Sequence, residues 1–263
     1  MSTLRVSCLM VTRDRRDLAE RAVACFAAQT WTNRELVILD DGDEDYAPML
    51  APFISAGEAI RYHRIQHDSS THLGGLRNAT IELAEGDWCA QWDDDEWYGP
   101  TRIERQMAAL NPGDVASALR WTLMTVDSPT LGPLTFRADA GFATPGTVLH
   151  RRDAARYPDL ARGEDAVFLK SLRDAGGVAV LGKDDANLFV RCFHGSNTWN
   201  EGHFLRRLHR RPVDWPSYAN ARWVHRDLRR HRAFNLTAAE RATSEALDTW
   251  SAAHTHAPEA ANA

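Results

Sequence analysis

Cysteine is scarce in this sequence. Cys8, Cys25, Cys89 and Cys192 are the only four, far apart and without a Cys-x-x-Cys pair. That spacing builds neither a disulfide framework nor a zinc cage, and a reducing, cytoplasmic setting is the simplest expectation. Long apolar runs are missing as well. No stretch of about 18 apolar residues exists, so no membrane span is expected. The opening MSTLRVSCLMVTRD has no lysine-rich start and no small-residue cleavage site, and no signal peptide is expected from it. Positive charge is not in excess either. The 31 Lys and Arg oppose 36 Asp and Glu, a formal net charge of −5, which argues against a protein whose task is coating nucleic acid. There is no internal repeat, and no Gly-Lys-Ser/Thr to make a P-loop.

What is present is the composition of an ordinary globular protein. Apolar residues make up 44% and charged residues 25%, which excludes disorder and a fibrous repeat. A length of 263 residues suits one domain, or one domain with a small appendage. The nine tryptophans are many for this size. Packing is the default use of each, and some are expected to line a ligand surface.

The first half alternates strand and helix signals. Short apolar runs at 5–11, 35–39, 60–65 and 88–92 read as strands. Helical spacing follows Asp17, an expected cap, through Leu18, Ala22, Val23 and Phe26. Further helices are expected over 46–56, from Gly74-Gly75 to about 84, and from Pro100 to 110. This alternation predicts a mostly parallel α/β sheet with helices on both faces. After about residue 112 the pattern changes. Strands over 115–126 and 131–138 suggest an antiparallel insertion. A short strand at 147–150, a helix over 164–175 and strands at 178–181 and 188–193 follow. From about 201 the chain reads as helical and arginine-rich, and its last residues, HTHAPEAANA, as frayed.

In open parallel sheets ligands bind where strands end. Three strand ends carry unusual polar residues: Thr12-Arg13-Asp14, Asp40-Asp41-Gly42 and Asp93-Asp94-Asp95-Glu96. Four acids in a row repel one another unless a cation relieves them. Hard cations such as Mg²⁺ and Mn²⁺ take oxygen ligands and share them with substrate phosphates. A solvated acidic turn is the competing reading. It is weakened here by Trp92 and Trp97 on either side.

The segments VSCLMVTRDR, ELVILDDG and LRNATIELAEGDWCAQWDDDEWYGPTRIERQ together resemble the family 2 glycosyltransferases of GT-A fold. The likeness covers the first 110 residues in order. It implies a GT-A-like, Rossmann-like mostly parallel sheet flanked by helices, with a smaller antiparallel element and a helical C-terminal extension. Residues 1–200 would form the transferase domain, with 1–112 the nucleotide-sugar half and 113–200 the acceptor half. Residues 201–263 would form the extension.

The likeness also implies a set of site residues. The first two strand ends, Thr12, Arg13 and Asp41, would hold the nucleotide of a sugar donor, with Asp41 accepting a hydrogen bond from uracil. Arg13 stands where Tyr or Asn is frequent. It either stacks on the base or pairs with phosphate, which leaves the base identity open. Asp93-x-Asp95 would carry the Asp-x-Asp function. Asp95 would ligate a Mn²⁺ or Mg²⁺ bridging the diphosphate, and Asp94 and Asp93 would reach the ribose or a metal-bound water. His194 would be a further metal ligand or a diphosphate contact. Arg77, in a small-x-Arg-Asn helix start, would neutralise phosphate.

Downstream, Arg162-Gly163-Glu164-Asp165 resembles the Glu-Asp element of inverting members, with Asp165 as general base beside Glu164. A poor hydroxyl nucleophile needs such a carboxylate. The same two acids are also good helix caps. Asn197 and Trp199 would order a loop or join the acceptor cleft. His63, His67 and His72 show no metal spacing and read as solvated.

The implied function is an inverting hexosyl transfer from a nucleotide diphosphate sugar, UDP by preference, to an acceptor hydroxyl on a small metabolite, peptide or saccharide. A nucleotidyltransferase of sugar phosphates and a non-catalytic nucleotide-sugar-binding module are the other classes. The first lacks its glycine-rich loop after the first strand. The second is disfavoured by the intact acidic pairs. The stretch 206–232, dense in arginine with Trp215, Tyr218 and Trp223 between, reads first as a solvated helical face. Acceptor contact comes next, and an anionic partner surface and a peripheral membrane patch are the other readings.

Overall fold

The computed structural model describes residues 4–160, 162–195, 197 and 200–254. Its first strand, β1 (Val6–Thr12), is apolar almost throughout because it is buried on both faces. The chain continues through α1 (Arg16–Ala27), β2 (Arg34–Asp40), α2 (Ala47–Ser55), β3 (Ile60–Arg64), α3 (Leu73–Leu83) and β4 (Trp88–Gln91). These strands lie parallel in the order β4-β1-β2-β3. Side chains alternate across the sheet with the period of two that a strand imposes. Val6, Cys8 and Met10 pack with Ala22 and Phe26 of α1 and Leu50 of α2, whereas Leu9 meets Ile81 of α3 on the opposite face.

The expected sheet is therefore present, and it is larger. A two-residue strand, β5 (Trp97–Tyr98), precedes α4 (Arg102–Ala108) and then β6 (Asp114–Leu119), β7 (Trp121–Ser128), β8 (Gly132–Asp139) and β9 (Leu149–Arg151). After α5 (Glu164–Ala175) come β10 (Gly177–Leu181) and β11 (Phe189–Phe193). Seven strands form the main sheet in the order β10-β6-β9-β4-β1-β2-β3, with only β9 antiparallel to its neighbours. The rest form a second sheet, β5-β11-β7-β8.

The sequence predicts one long strand over 115–126. The structure divides it at Arg120, whose N–H donates to Leu181 O at 3.2 Å and whose carbonyl accepts from Ala140 N at 3.0 Å. The chain leaves one sheet there and enters the other. The β7–β8 hairpin is antiparallel as expected, but β11 joins it in parallel. Two smaller expectations also shift. The cap of α1 is Arg15, with Asp17 inside the first turn, and most of 147–150 belongs to a 3₁₀ turn (Pro145–Thr147) and the start of β9.

The region after 201 is less helical than its sequence suggests. Among the described residues it holds the short helices α6 (Glu201–Leu205) and α7 (Trp215–Ala219), several 3₁₀ turns, a π turn (Asn220–Val224) and one long helix, α8 (Ala238–His254). Pro212 and Pro216 interrupt helical hydrogen bonding. Phe204 and Leu208 pack on Met124, Val126 and Phe136 of the second sheet, and Leu247 of α8 packs on Leu123, Val190 and Cys192. Arg137 Nη1 donates to both carboxylate oxygens of Glu240, at 2.7 and 2.6 Å, tying α8 to β8. Residues 255–263, expected to fray, lie outside the described residues. Among the described residues no helix is long and apolar enough to cross a membrane.

His150 on β9 makes the core sensitive to acid. It is buried, its ring stands edge-on to Phe168 at 4.9 Å, and its Nδ1 lies 2.8 Å from Arg151 O. Burial pushes its pKa down to about 4 from an ordinary 6.5. Between those values the unfolded chain binds a proton that the folded chain refuses, so stability falls as pH falls through the window. Denaturant titrations of the parent should lose about 1.4 kcal/mol per pH unit more than His150→Gln over that interval. Parallel acid losses would assign the sensitivity to other groups.

Candidate functional site

The ends of β1, β2 and β4 open into a cleft of about 500 Å³. Asp14, directly after β1, takes a left-handed backbone with φ of 49°. Its Oδ1 accepts from the N–H groups of Asp43 and Glu44 at 2.8 and 3.1 Å. Gly42 has to be glycine, because a Cβ there would lie 2.6 Å from Asp14 Oδ1. The first two strand-end loops are thereby stitched together. Asp40 is spent on structure, accepting from Gly42 N at 2.9 Å and from the Tyr62 hydroxyl at 2.7 Å. Asp41 faces the cleft, with Oδ2 3.0 Å from His67 Nδ1, and His67 Nε2 lies 3.2 Å from Arg13 Nη1. His67, expected to be solvated, therefore links two expected nucleotide residues. The available signal was its position just beyond a third strand end.

The acidic run after β4 is resolved by sending each carboxylate to a different partner. Asp93 accepts from Arg77 Nη2 at 3.0 Å and sits within 3.2 Å of Gln91 Nε2. Asp94 accepts from Thr12 Oγ1 at 2.7 Å. Asp95 lies 3.3 Å from both Arg15 Nη1 and His194 Nε2. Glu96 is buried, accepting from Cys192 N at 2.6 Å with Arg191 Nε 3.8 Å away. Arg15 and Arg191, not singled out in the sequence, supply part of the compensating charge.

These surroundings separate the acids electrically. Burial and the neighbouring Asp95 push Asp94 up to about 7. Burial raises Asp93 against the pull of Arg77, and it raises Glu96 well above the usual carboxylate range. Burial works the same way on Asp95, but His194, Arg15 and Arg21 together outweigh it and hold that carboxyl below its ordinary value. Asp95 is thus the member of the run whose carboxyl is pulled below its ordinary value while the other three are pushed above theirs.

Of the three expected metal ligands, Asp95 and His194 face each other, while Asp93 turns to Arg77. Among the described residues no three His, Cys, Asp or Glu side chains converge as a cage. Asp95 lines the cleft, and His194 touches it from outside that lining. A carboxylate so placed, with an imidazole beside it, fits a hard divalent cation that takes its remaining ligands from substrate oxygens and water.

Across the cleft, α5 starts at Gly163, whose φ of 77° is left-handed. Arg77 Nη1 donates to Glu164 Oε1 at 2.7 Å, so one guanidinium joins α3, the acidic run and α5. Asp165 stays at the cleft wall, its Oδ1 accepting from Ala166 N at 2.7 Å. The cap position itself is Gly163, so both acids lie inside the first turn, where Asp165 satisfies one of its free N–H groups. Asn78 bonds the backbone of Tyr157 through both its amide atoms. Asn197 fastens the loop after β11 to Cys192 O and His194 N, and Trp199 lies outside the described residues. Among the described residues no tryptophan lines this cleft or the recess beside it, against expectation. Trp92 instead stacks on Tyr98 at 3.9 Å beneath the acidic run.

Residues 7–145 match the family model described as Glycosyl transferase family 2. That span includes the three strand ends and Arg77, and ends before Glu164, Asp165 and His194. The chain is 31% identical over 98 residues to the putative colanic acid biosynthesis glycosyl transferase WcaA of Escherichia coli K12, covering 37% of this chain and 35% of that one. It is 32% identical over 95 residues to the putative glycosyltransferase EpsE of Bacillus subtilis 168, covering 36% and 34%. The match thus spans about a third of the length of these relatives. The fold is similar to that of S. aureus TarS 1–349 in complex with UDP, with a TM-score of 0.58 at 16% identity over 80% of this chain and 73% of that one. It is also similar to the mannosyltransferase PcManGT of Pyrobaculum calidifontis in complex with GDP-Man and Mn²⁺, with a TM-score of 0.56 at 14% identity over 98% and 78%. At these identities the likeness is one of fold.

Arg77 offers a direct test of how the site is held. Its side chain and that of Glu164 are 13% and 4% exposed. Arg77→Met should cost about 3 kcal/mol or more by leaving buried carboxylates unpaired. Adding Glu164→Leu should recover part of that loss in a double-mutant cycle by denaturation. Strictly additive losses would mean that the two side chains do not depend on each other.

Proposed function

Because the chain belongs to glycosyl transferase family 2, we propose that it is an inverting glycosyltransferase that moves a sugar from a UDP-sugar to an acceptor hydroxyl. The observation that carries this reading is the cleft itself. Thr12, Asp41 and the acidic run form one wall, and Asp165 stands on the other. UDP and GDP-Man in the similarly folded TarS and PcManGT support a nucleotide donor, and the Mn²⁺ in PcManGT supports a divalent ion.

In this reading Asp41 and Arg13, bridged by His67, receive the base, and Thr12 and Asp94 face the ribose. Asp95 with His194 would hold Mn²⁺ or Mg²⁺, which supplies Lewis-acid charge for the departing diphosphate. Arg77 is a fixed cation beside the phosphates. Asp165 takes the proton of the acceptor hydroxyl as that oxygen attacks the anomeric carbon from the face opposite the nucleotide. Glu164 positions it through the ion pair with Arg77. One displacement inverts the anomeric centre, and no covalent sugar–enzyme bond is needed. Residues 1–112 serve the donor and 113–200 the acceptor, with 201–263 as the extension. Four buried free thiols support a reducing, cytoplasmic setting.

Two variants separate binding from chemistry. Asp95→Ala should lose Mn²⁺-dependent UDP affinity in calorimetry while staying folded, and unchanged binding would refute the metal site. Asp165→Asn should bind donor normally, because a general base acts in the transition state. Its transfer rate should fall by about 10²-fold or more. Full activity, or retained anomeric configuration by NMR of the product, would end the inverting mechanism.

A further inference from the structure

Beside the donor cleft lies a recess of about 310 Å³. The two share Asp93, Glu96, Asp165 and Arg191 along their common border, so they are continuous. The recess is floored by β7, the end of β8 and Phe189 of β11, and closed by Arg207 and Arg210 from the turn after α6. Residues that the sequence reads first as a solvated face therefore enter the acceptor side.

These arginines differ from their neighbours. Arg211 is ion-paired with Asp139, and Arg206 Nη2 lies 3.2 Å from His203 Nδ1. Arg207 and Arg210 have no hydrogen-bond or ion-pair partner among the described residues. Arg191 has only the distant contact to Glu96, and its guanidinium lies over the Phe204 ring at 5.0 Å. The crowding is felt electrically. Burial, then Arg210, Arg191 and Arg206, push Arg207 down to about 10. Burial, then the same arginines with Arg207, push His203 down to about 4. Cations gathered without counter-charge in a part-buried recess cost stability, and an anion removes that cost.

We propose that Arg191, Arg207 and Arg210 form an acceptor subsite for a phosphate monoester, which places the acceptor's hydroxyl at Asp165. Guanidinium forks match phosphate oxygens in pairs. Geometry selects the monoester. Arg207 and Arg210 face the recess without a partner among the described residues, with Arg191 beside them. A terminal phosphate offers three oxygens to these forks, whereas a carboxylate offers two. The volume suits a small metabolite, being near the lower end of ligand pockets. The inference rests on the transferase reading and deepens it.

The test uses the full chain with saturating UDP and Mn²⁺, so that the donor end is filled. Calorimetry compares glycerol 3-phosphate, glycerate and glycerol as probes. Glycerol 3-phosphate should bind at least about tenfold more tightly than the other two, and Arg207→Gln/Arg210→Gln should remove that preference. Without ligand, the double variant should melt at or above the parent, because repulsion is relieved. Equal binding of the three probes, or an unchanged preference in the variant, overturns the proposal. So does a variant that melts several degrees lower, which would make the arginines structural supports. A parent that fails to bind UDP refutes the donor reading, whereas one that binds UDP but not the monoester refutes only this inference.

Discussion

Four consecutive acids at the end of β4 are the constraint around which the rest of this structure is arranged. Buried carboxylates side by side are tolerated only if each finds its own compensation. Asp93 finds Arg77, Asp94 finds Thr12, Asp95 finds Arg15 and His194, and Glu96 finds Cys192 N. These partners come from α3, β1, the β1–α1 loop and β11 with the loop after it. The acidic run therefore ties three separate stretches of chain, around residues 12–15, 77 and 192–194, to the end of β4. Deleting any one partner changes the charge of the run as well as its shape.

The scaffold beneath holds that run against its own repulsion. Trp92 stacks on Tyr98, and the buried guanidinium of Arg102 lies 5.1 and 4.8 Å from the two ring centres. Burial lowers the pKa of Arg102, while nearby Tyr98 and Asp93 oppose that drift, so a cation lies behind the carboxylates. At the opposite end of the strands Glu35 receives Ser7 Oγ at 2.5 Å, Glu85 N at 2.7 Å and Arg5 Nη2 at 3.0 Å. That cluster aligns β1, β2 and the turn before β4, and so sets the level at which the strands end.

The two ends of one continuous space contrast in charge. The cleft mixes both signs in paired contacts, whereas the recess holds Arg207 and Arg210 without a partner among the described residues. Asp165 stands at the boundary, at the start of a helix held by the Arg77–Glu164 pair.

The sequence alone determined the parallel alternating half, because strands buried on both faces need unbroken apolar runs and the turns between them need Asp and Gly. It determined the strand-end acids and the Glu164-Asp165 helix start for the same local reason: their chemistry is visible in neighbouring residues. The tertiary structure decided what depends on distant partners. The sheet switch at Arg120 is invisible in a run whose residues suit either sheet. His67 is as exposed as its sequence suggests, but only the fold brings Asp41 and Arg13 beside it. The turns around Arg207 and Arg210 have helical composition, but their prolines and their packing on the second sheet fold them over the recess. The carboxyls of Asp93 and Asp94 shift up and that of Asp95 shifts down although the residues are identical in kind, because burial and partner geometry, not residue type, set the cost of each negative charge.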